Sequence, residues 1–268
     1  MHMQPASRNP ARRRSEIRRL LLTRETMSVE DLSQALSASP ATIRRDLAAL
    51  ERSEGIQRTH GGAVVPGVRP AEQDFAFREG QDVAEKRAIA QAAVALIAPG
   101  STVFMNDGST IMAVAKAIVA SGLDVFVATP AVNVATKLAE NPRATVCLLG
   151  GFVRHTSLAT TGPFTETMAA QINADMAFIS SDGLSAESGL TFTHAADAAL
   201  AKCMVAHSAR VIAVTVTPKI GRNERITAVP ASDVDEVLTG CADDAKLDSL
   251  KAAGLAIRRV SVPPGSAA

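Results

Sequence analysis

The stretch SPATIRRDLAAL, residues 39–50, constrains the fold of this chain more than any other part of its sequence. Ser39 can accept hydrogen bonds from the free amides of a first helical turn. Pro40 has the backbone angle of a first helical residue, and it needs no hydrogen-bond donor there. The pattern therefore predicts a helix that begins at Pro40, with Ser39 as its N-cap.

This predicted helix has two different faces. Ile43, Leu47 and Leu50 recur at i, i+4 and i+7 and form one apolar face. The residues predicted to lie outside that face, near the amino-terminal end, are Thr42, Arg44, Arg45 and Asp46. Arginine can bind guanine or a phosphate, so the helix is predicted to enter the major groove of DNA. On this stretch alone, an ordinary amphipathic helix with a solvated basic edge is an equally good interpretation.

The flanking sequence favours the DNA-binding interpretation. An amphipathic segment with Leu20 and Leu21 precedes a short helix that Ser28 is predicted to cap. The predicted inward face of this second helix carries Val29, Leu32, Ala35 and Leu36. A tight turn then leads to the helix at Pro40, and two short strands, at 56–59 and 63–65, follow it. Two helices, a tight turn, a basic helix and a small β-wing predict a winged helix-turn-helix domain.

The segment 13–65 closely resembles the amino-terminal domain of DeoR-type transcriptional repressors. The family's TIRRDL motif stands at 42–47, and its Arg-x-His-Gly-Gly-Ala motif stands at 58–63. The second motif places Arg58 and His60 on the wing, within reach of a phosphate or the minor groove. The residues predicted to contact DNA are Ser39, Thr42, Arg44, Arg45, Arg58 and His60. The expected partner of this domain is a double-stranded DNA operator.

Charge and composition agree with a small basic domain joined to a larger one. The chain has 268 residues, of which 47% are hydrophobic, so it can bury a sizeable core. Residues 1–65 carry 11 Arg, no Lys and 7 acidic residues, whereas the net charge of the whole chain is only +1. Since the excess of positive charge lies in the first 65 residues, we expect these residues to bind DNA.

Several kinds of site and location are not expected from the sequence. The three Cys residues lie far apart and have no metal-ligand spacing, so reduced thiols and no metal or cofactor are expected. No apolar run reaches the roughly 18 residues that a membrane span needs, and the first residues lack the apolar core of a secretion signal. We therefore predict a cytoplasmic protein without a membrane partner, with a disordered tail at residues 261–268.

A stretch with Pro, Gly and several charges separates the two predicted domains. We place the DNA-binding domain at residues 1–65, a linker at 66–82 and an effector-binding and oligomerisation domain at 83–260. Phe75 and Phe77 stand out in a chain without Trp or Tyr. Either they dock the linker onto a domain or a partner subunit, or they make a local contact within the linker.

The larger domain alternates strand and helix patterns. Strands are predicted at 102–105, 125–128, 145–149, 176–179, 211–216 and 237–239. Helices are predicted at 86–97, 110–120, 132–139, 164–172, 195–207 and 245–253. This alternation predicts an α/β domain with a doubly wound, mainly parallel sheet. In such a sheet the ligand crevice lies beyond the carboxyl ends of the strands.

The run Asn106-Asp107-Gly108-Ser109-Thr110 lies between a predicted strand and a predicted helix. Gly108 lets the backbone approach a ligand closely, and the amides of Ser109 and Thr110 lie at a helix amino terminus, which favours a phosphate. A plain strand-to-helix turn capped by Ser109 is the alternative, and spacing alone does not exclude it.

The region from about residue 82 to 259 resembles the carboxy-terminal effector domain of the same repressors, whose fold is similar to sugar-phosphate isomerases. The resemblance implies a small, phosphorylated, carbohydrate-related effector. The residues predicted to bind it are Asp107, Gly108, Ser109, Thr110, Gly151, Arg154, Asp182 and Lys219. The chain departs from the family pattern at Asn106, Pro130, Ala198 and Val216, where the family usually has Asp, Asn, Glu and Asp. These departures favour a less hydroxylated ligand, or weak binding of sugar phosphates.

Two classes of function remain from the sequence. The first is a ligand-responsive repressor that acts as a homodimer or homotetramer, because one winged helix contacts a single half-site. The second is an isomerase-like enzyme with an appended DNA-binding domain. An isomerase needs a positioned carboxylate as its base. Asp182 and Glu187 are available, but no pair of loop acids has the spacing of the related isomerases, so the repressor is the predicted function and no catalytic residue is expected.

Overall fold

The computed structural model of the chain describes residues 10–24, 26–54, 57–59, 62–64 and 75–262. The chain divides into two compact units between Gln73 and Asp74. The predictions for His60, for most of the linker and for residues 263–268 of the tail lie outside the described residues. Val262, inside the predicted tail, packs against the core of the second unit.

The first unit combines three helices with a small antiparallel sheet. Its elements are α1 (Pro10–Arg24), β1 (Thr26–Ser28), α2 (Val29–Leu36), α3 (Pro40–Glu54), β2 (Gln57–Thr59) and β3 (Gly62–Val64). Strand β3 lies between β1 and β2 and pairs antiparallel with both. The predicted winged helix-turn-helix architecture is confirmed, and the sequence patterns missed only β1.

The core of the first unit comes from all three helices and β1. Its buried members are Ile17, Leu21, Met27, Val29, Leu32, Ile43, Leu47 and Leu50. The predicted apolar face of α3 is therefore confirmed. The prediction for Ala35 on α2 is wrong, because this side chain is exposed. Leu36 lies one full turn after Leu32 and packs against the core in its place.

The second unit alternates strands and helices along most of its length. Its helices are α4 (Phe75–Gly80), α5 (Val83–Val94), α6 (Ser109–Ser121), α7 (Val132–Leu138), α8 (Pro163–Ala169), α9 (Ala195–Ala206) and α10 (Asp244–Ala252). The strands of its main sheet are β4 (Thr102–Met105), β5 (Val125–Thr129), β6 (Ala144–Leu148), β9 (Met176–Ile179), β12 (Val211–Val214), β14 (Glu236–Thr239) and β15 (Ile257–Arg259). The remaining strands are β7 (Phe152–Arg154), β8 (Ala159–Thr161), β10 (Gly183–Ser185), β11 (Gly189–Phe192) and β13 (Ile226–Val229).

The main sheet has seven strands in the order β15-β14-β12-β9-β4-β5-β6, and every pairing within it is parallel. The chain runs outward from β4 through β5 to β6, then returns to β9 on the other side of β4 and runs outward again. The point where the strand order reverses therefore lies between β4 and β9. In open α/β sheets this switch point is where ligands bind.

Two hydrophobic cores cover the two faces of the main sheet. On β4, Val103 and Met105 belong to one core, whereas Phe104 between them belongs to the other. The same alternation occurs on β12, where Val211 and Ala213 face away from Ile212. Because successive side chains of a strand point to opposite faces, helices cover the sheet on both sides. The predicted doubly wound α/β fold is confirmed.

The sequence placed the linker at 66–82, but part of that range is folded. Residues 75–80 form α4, and Phe75 is buried in the core that also contains Ile89 and Ile111. The second unit thus begins before residue 83. Phe75 docks onto this unit, which is one of the two interpretations given for it from the sequence. The side chain of Phe77 lies outside the described residues.

Candidate functional site

The amino terminus of α3 is capped as the sequence predicts. The amide of Thr42 donates to the Ser39 hydroxyl at 3.3 Å, and the two hydroxyl groups lie 2.9 Å apart. The amide of Ile43 donates to the carbonyl of Ser39 at 3.0 Å. Before this turn, Ser37 ends α2 in the left-handed conformation, with φ of 47°. The short turn fixes the direction in which α3 leaves α2.

Arg44 and Arg45 are both exposed in the second turn of α3, opposite its buried face. The only described ion pair of Arg44 is a long one, 4.0 Å to Glu30, between two well-exposed side chains. Such a surface pair contributes little, so the guanidinium groups remain available to a polyanion. Both arginines are therefore exposed near the amino-terminal end of α3, and their predicted contact with DNA stays a prediction.

Asp46 differs from its predicted position among the polar residues outside the apolar face. It is buried, and its carboxylate accepts a hydrogen bond from Arg13 Nε at 2.5 Å, with Arg14 Nε at 3.6 Å. The ion pair joins α1 to α3. Asp46 is therefore a structural residue, and its charge compensates the basic start of α1.

The wing forms as predicted, with β2 paired antiparallel to β3. Arg58 lies in the middle of β2 opposite Ala63. Its side chain and the whole of His60 lie outside the described residues, so the DNA contacts predicted for them stay predictions.

The second site lies at the switch point of the main sheet, beyond the carboxyl ends of β4 and β9. The Asn106 side chain holds the two strand ends together: its Nδ2 donates to the carbonyl of Ser180 at 2.8 Å, and its Oδ1 accepts from the Ser180 amide at 2.9 Å. Asn106 is buried. An Asn that uses both ends of its amide in this way fixes the crevice rather than binding a ligand.

Asp107 follows Asn106 and lies in an unusual electrostatic environment. Its pKa is raised from 3.8 to about 6, chiefly by burial and next by the nearby charge of Asp197, while Arg78 and Arg154 oppose the rise. Asp182 adds a smaller increase in the pKa. The site thus contains several carboxylates and several cations within electrostatic range of one another.

Gly108 and Ser109 form the start of α6 at this crevice. Gly108 has φ of 115°, which an L residue rarely adopts, and it precedes the first helical residue, Ser109. The Gly108 carbonyl accepts the amide of Met112, but no side-chain cap closes the helix end. Ser109 is half-buried and Thr110 is buried. The alternative of a turn capped by the Ser109 side chain is not what the structure shows.

Lys219 reaches the same crevice from the end of β12. It lies in a short 3-10 helix, and its Nζ donates to the carbonyl of Ser181, after β9, at 2.5 Å. Burial lowers the pKa of Lys219, whereas Asp182 raises it. The Asp182 carboxylate accepts the amide of Thr193 at 2.9 Å. Four predicted residues are therefore brought together electrostatically: Asp107, Arg154, Asp182 and Lys219.

Arg154 and Gly151, two further predicted effector-binding residues, contact other parts of the second unit. Arg154 Nη2 donates to Asp197 at 2.5 Å, and its Nε donates to Ser157 at 3.2 Å. At Gly151, a Cβ atom would lie 2.1 Å from Thr165 Oγ1. The close packing of α8 therefore accounts for glycine at position 151, and its predicted contact with an effector stays a prediction.

Three residues at the crevice were missed by the sequence patterns. Arg78 on α4 acts electrostatically on both Asp107 and Lys219. Lys86 is buried, and its Nζ donates to the carbonyls of Arg78 and Gln81, each at 2.5 Å. Burial lowers the pKa of Lys86 to about 8. The Pro- and Gly-rich composition before residue 83 concealed α4, although Phe75 gave a signal that this segment is docked.

Glu85 is the third of these residues, and it joins two loops of the crevice to α5. Its Oε1 accepts from the amide and the hydroxyl of Thr217, both at 2.9 Å, and from the amide of Gly240 at 2.9 Å. These loops follow β12 and β14. The buried carboxylate thus orders the backbone just before Lys219.

The described part of the chain shows neither a cluster of metal ligands nor a helix that could span a membrane. There, no group of three or more His, Cys, Asp or Glu side chains could hold a metal ion. None of the helices in these ranges is both long and apolar enough to cross a bilayer.

Two regions of the chain match known domain families. Residues 13–67 match the DeoR-like helix-turn-helix domain, and residues 81–240 match the DeoR C terminal sensor domain. The HTH-type transcriptional regulator GlpR of Haloferax volcanii is 35% identical over 249 residues, which cover 92% of this chain and 97% of that protein. The regulator GolR of Listeria innocua is 31% identical over 231 residues, which cover 86% of this chain and 90% of that protein.

The chain is also similar to a third regulator and, more distantly, to a solved isomerase structure. A putative aga operon transcriptional repressor of Escherichia coli O157:H7 is 30% identical over 252 residues, covering 91% of this chain and 92% of that protein. The crystal structure of ribose 5 phosphate isomerase A from Neisseria gonorrhoeae has a TM-score of 0.38 and 15% identity, and it covers 50% of this chain and 52% of its own. That structural similarity is too low to carry an argument about function.

Proposed function

Because the chain belongs to the DeoR family of transcriptional regulators, we propose that it represses its target genes through α3 and is released or retuned by a small phosphorylated metabolite. The relatives are named as transcriptional regulators over nearly the whole chain, so the protein is a regulator and not an enzyme. The isomerase-like alternative has no support from these relatives.

The exposure of Arg44 and Arg45 is the observation that carries the DNA-binding part of the proposal. The opposite face of α3 is buried in the core, so the helix is held rigidly while both guanidinium groups face solvent. A held helix with exposed arginines near its amino-terminal end can insert into the major groove at little entropic cost. Thr42, beside the cap, is placed to contact a phosphate or a base edge.

The crevice between β4 and β9 supports the effector part of the proposal. The uncapped start of α6 offers backbone amides and the positive end of a helix dipole to an anion. Lys219 adds a cation whose only described hydrogen bond is to a neutral carbonyl. A phosphate group suits this combination of helix amides and a cation.

We propose that the functional form is a homodimer or homotetramer. One winged helix covers one half-site, and a closed symmetric assembly presents two or more to a repeated operator. The second unit exposes a group of apolar side chains on β7 and α8: Phe152 is 66% exposed, Val153 61% and Phe164 67%. Since the helix-turn-helix needs a second copy of itself, a second copy of this chain is the occupant that we assign to this surface.

A titration of operator DNA tests the DNA-binding part. The fragment is one that the full-length chain recovers from genomic DNA, and binding is measured by gel shift at fixed salt. Arg44→Ala and Arg45→Ala should each weaken binding by about 1–3 kcal/mol if the lost contact reads a base. Arg87→Ala, which removes an exposed arginine from α5, serves as the charge-matched control. Unchanged binding by both α3 variants would remove this helix from the interface.

A further inference from the structure

Arg78 is the residue of the second unit whose polar atoms are least satisfied. Its Nε and Nη2 atoms are buried, and neither has a hydrogen-bond partner among the residues that the structure describes. The guanidinium is always charged and carries five donors. Burying two of its nitrogens away from water without hydrogen-bond partners therefore costs free energy. Two buried nitrogens without partners, on a side chain that is half-buried as a whole, suit a bound group that completes their hydrogen bonding.

The surroundings of Arg78 point to an anion as that group. Arg78 acts on the charges of Asp107 and Lys219 and thus lies beside the crevice between β4 and β9. The two lysines near it donate to neutral carbonyls rather than to carboxylates, Lys219 to Ser181 and Lys86 to Arg78 and Gln81. Their positive charge is therefore not neutralised by these contacts.

The acidic residues of the crevice are partly engaged by other groups. The Asp197 carboxylate is bound by Arg154, and the Asp182 carboxylate accepts a backbone amide. Desolvation raises the pKa of Asp107 to about 6, so this carboxyl group becomes protonated at a higher pH than an ordinary one. Three cations, Arg78, Lys86 and Lys219, thus lie within electrostatic range of one another, and Arg78 also acts on Asp107, two residues before the uncapped start of α6.

We propose that Arg78 binds the phosphate group of the effector directly, and that this contact links effector binding to α4. The inference rests on the proposed function and adds to it a residue that lies before the matched sensor domain, which begins at residue 81. The planar fork of a guanidinium fits two oxygens of a phosphate, and the α6 amides can hold a third.

The position of Arg78 in the chain gives this contact a regulatory consequence. Helix α4 is the first described element of the second unit, and residues 65–74 join it in sequence to the first unit. Phe75 packs the start of α4 into the core. Lys86 donates hydrogen bonds to the carbonyls of Arg78, within α4, and of Gln81, directly after it. A phosphate bound by Arg78 therefore stabilises α4, and the effector can act on the segment that leads to the DNA-binding unit.

Inorganic phosphate is the probe that tests the inference on the full-length protein. Binding is measured by calorimetry for wild type, Arg78→Gln, Arg78→Lys and the control Arg87→Gln, whose arginine is exposed on α5. We expect Arg78→Gln to weaken phosphate binding by about 10- to 100-fold, and Arg78→Lys to restore only part of it. Arg87→Gln should bind as wild type does. Acetate in place of phosphate should bind much more weakly to wild type.

Folding and DNA binding are measured in parallel to separate the possible failures. Without phosphate, Arg78→Gln should unfold in one cooperative thermal transition, as wild type does, and the control Arg87→Gln should keep the thermal midpoint and the operator affinity of wild type. Equal phosphate affinity of Arg78→Gln and wild type, no phosphate binding by wild type, or equally tight acetate binding would each overturn the inference. Loss of operator binding by wild type itself would instead overturn the proposed function.

Discussion

Replacement of Asp107 by Asn removes a carboxyl group whose ionisation opposes folding. Burial raises the pKa of Asp107 from 3.8 to about 6, so the folded protein favours the protonated form. A group whose pKa rises on folding contributes stability that is fully present below the unfolded pKa and is lost as the pH rises through the folded pKa. Asp107→Asn lacks this titration, and we therefore expect it to be more stable than wild type at neutral pH.

The size of the effect follows from the pKa shift. The change from 3.8 to about 6 corresponds to about 3 kcal/mol, at about 1.36 kcal/mol per pKa unit. Linkage gives an advantage of about 1 kcal/mol near pH 4.5, because this pH is only slightly above the unfolded pKa and little of the effect has accumulated, and the full amount near pH 7.5. The difference between the two conditions, about 2 kcal/mol, is the quantity to measure.

Urea unfolding of the full-length protein at the two pH values provides the assay. The chain has no Trp or Tyr, so the unfolding is followed by far-UV circular dichroism. Asp124→Asn, which changes an exposed carboxylate of the same unit, is the control and should behave as wild type at both pH values. An equal gain for Asp107→Asn at both pH values, or a loss near neutral pH, would refute the reasoning.

Three further variants test the packing and the assembly. Asp46→Ala should destabilise the first unit by about 2 kcal/mol in thermal unfolding, because it removes the buried partner of Arg13. Glu85→Ala leaves three donors of the crevice loops without their acceptor, and it should cost about 2–3 kcal/mol in urea unfolding and increase amide exchange there. Phe152→Ser combined with Phe164→Ser should lower the molar mass measured by light scattering without unfolding the chain, and an unchanged mass would exclude β7 and α8 from the assembly surface.

The sequence predicted the elements whose side chains follow a regular pattern. The apolar spacing of Ile43, Leu47 and Leu50 gave α3, and the Ser39-Pro40 pair gave its start. Six strands of the main sheet are apolar runs between helices, and the patterns found all of them. Strand β15 was missed because it lies at the edge of the sheet and carries Arg258 and Arg259.

The contacts made by single side chains across the fold could not be predicted. Asp46 falls on the polar side of α3 by spacing, and only the arrangement of α1 against α3 buries it against Arg13. Arg78 lies in a segment whose composition is typical of a linker. Its importance depends on the folding of α4 onto the second unit, which brings together residues far apart in sequence. Local patterns contain no information about such pairs.

Release of operator DNA by phosphorylated metabolites directly tests whether an anion bound by Lys219 and the start of α6 controls DNA binding. Full-length wild type, Lys219→Ala and Ser109→Ala are each bound to labelled operator DNA, and fluorescence anisotropy is followed as phosphorylated and unphosphorylated metabolites are added. We expect all three proteins to bind DNA equally, a phosphorylated metabolite to release wild type, and both variants to need about 10-fold more of it or more. Release of all three proteins at the same concentration, or release of wild type by none of the phosphorylated compounds, would contradict it.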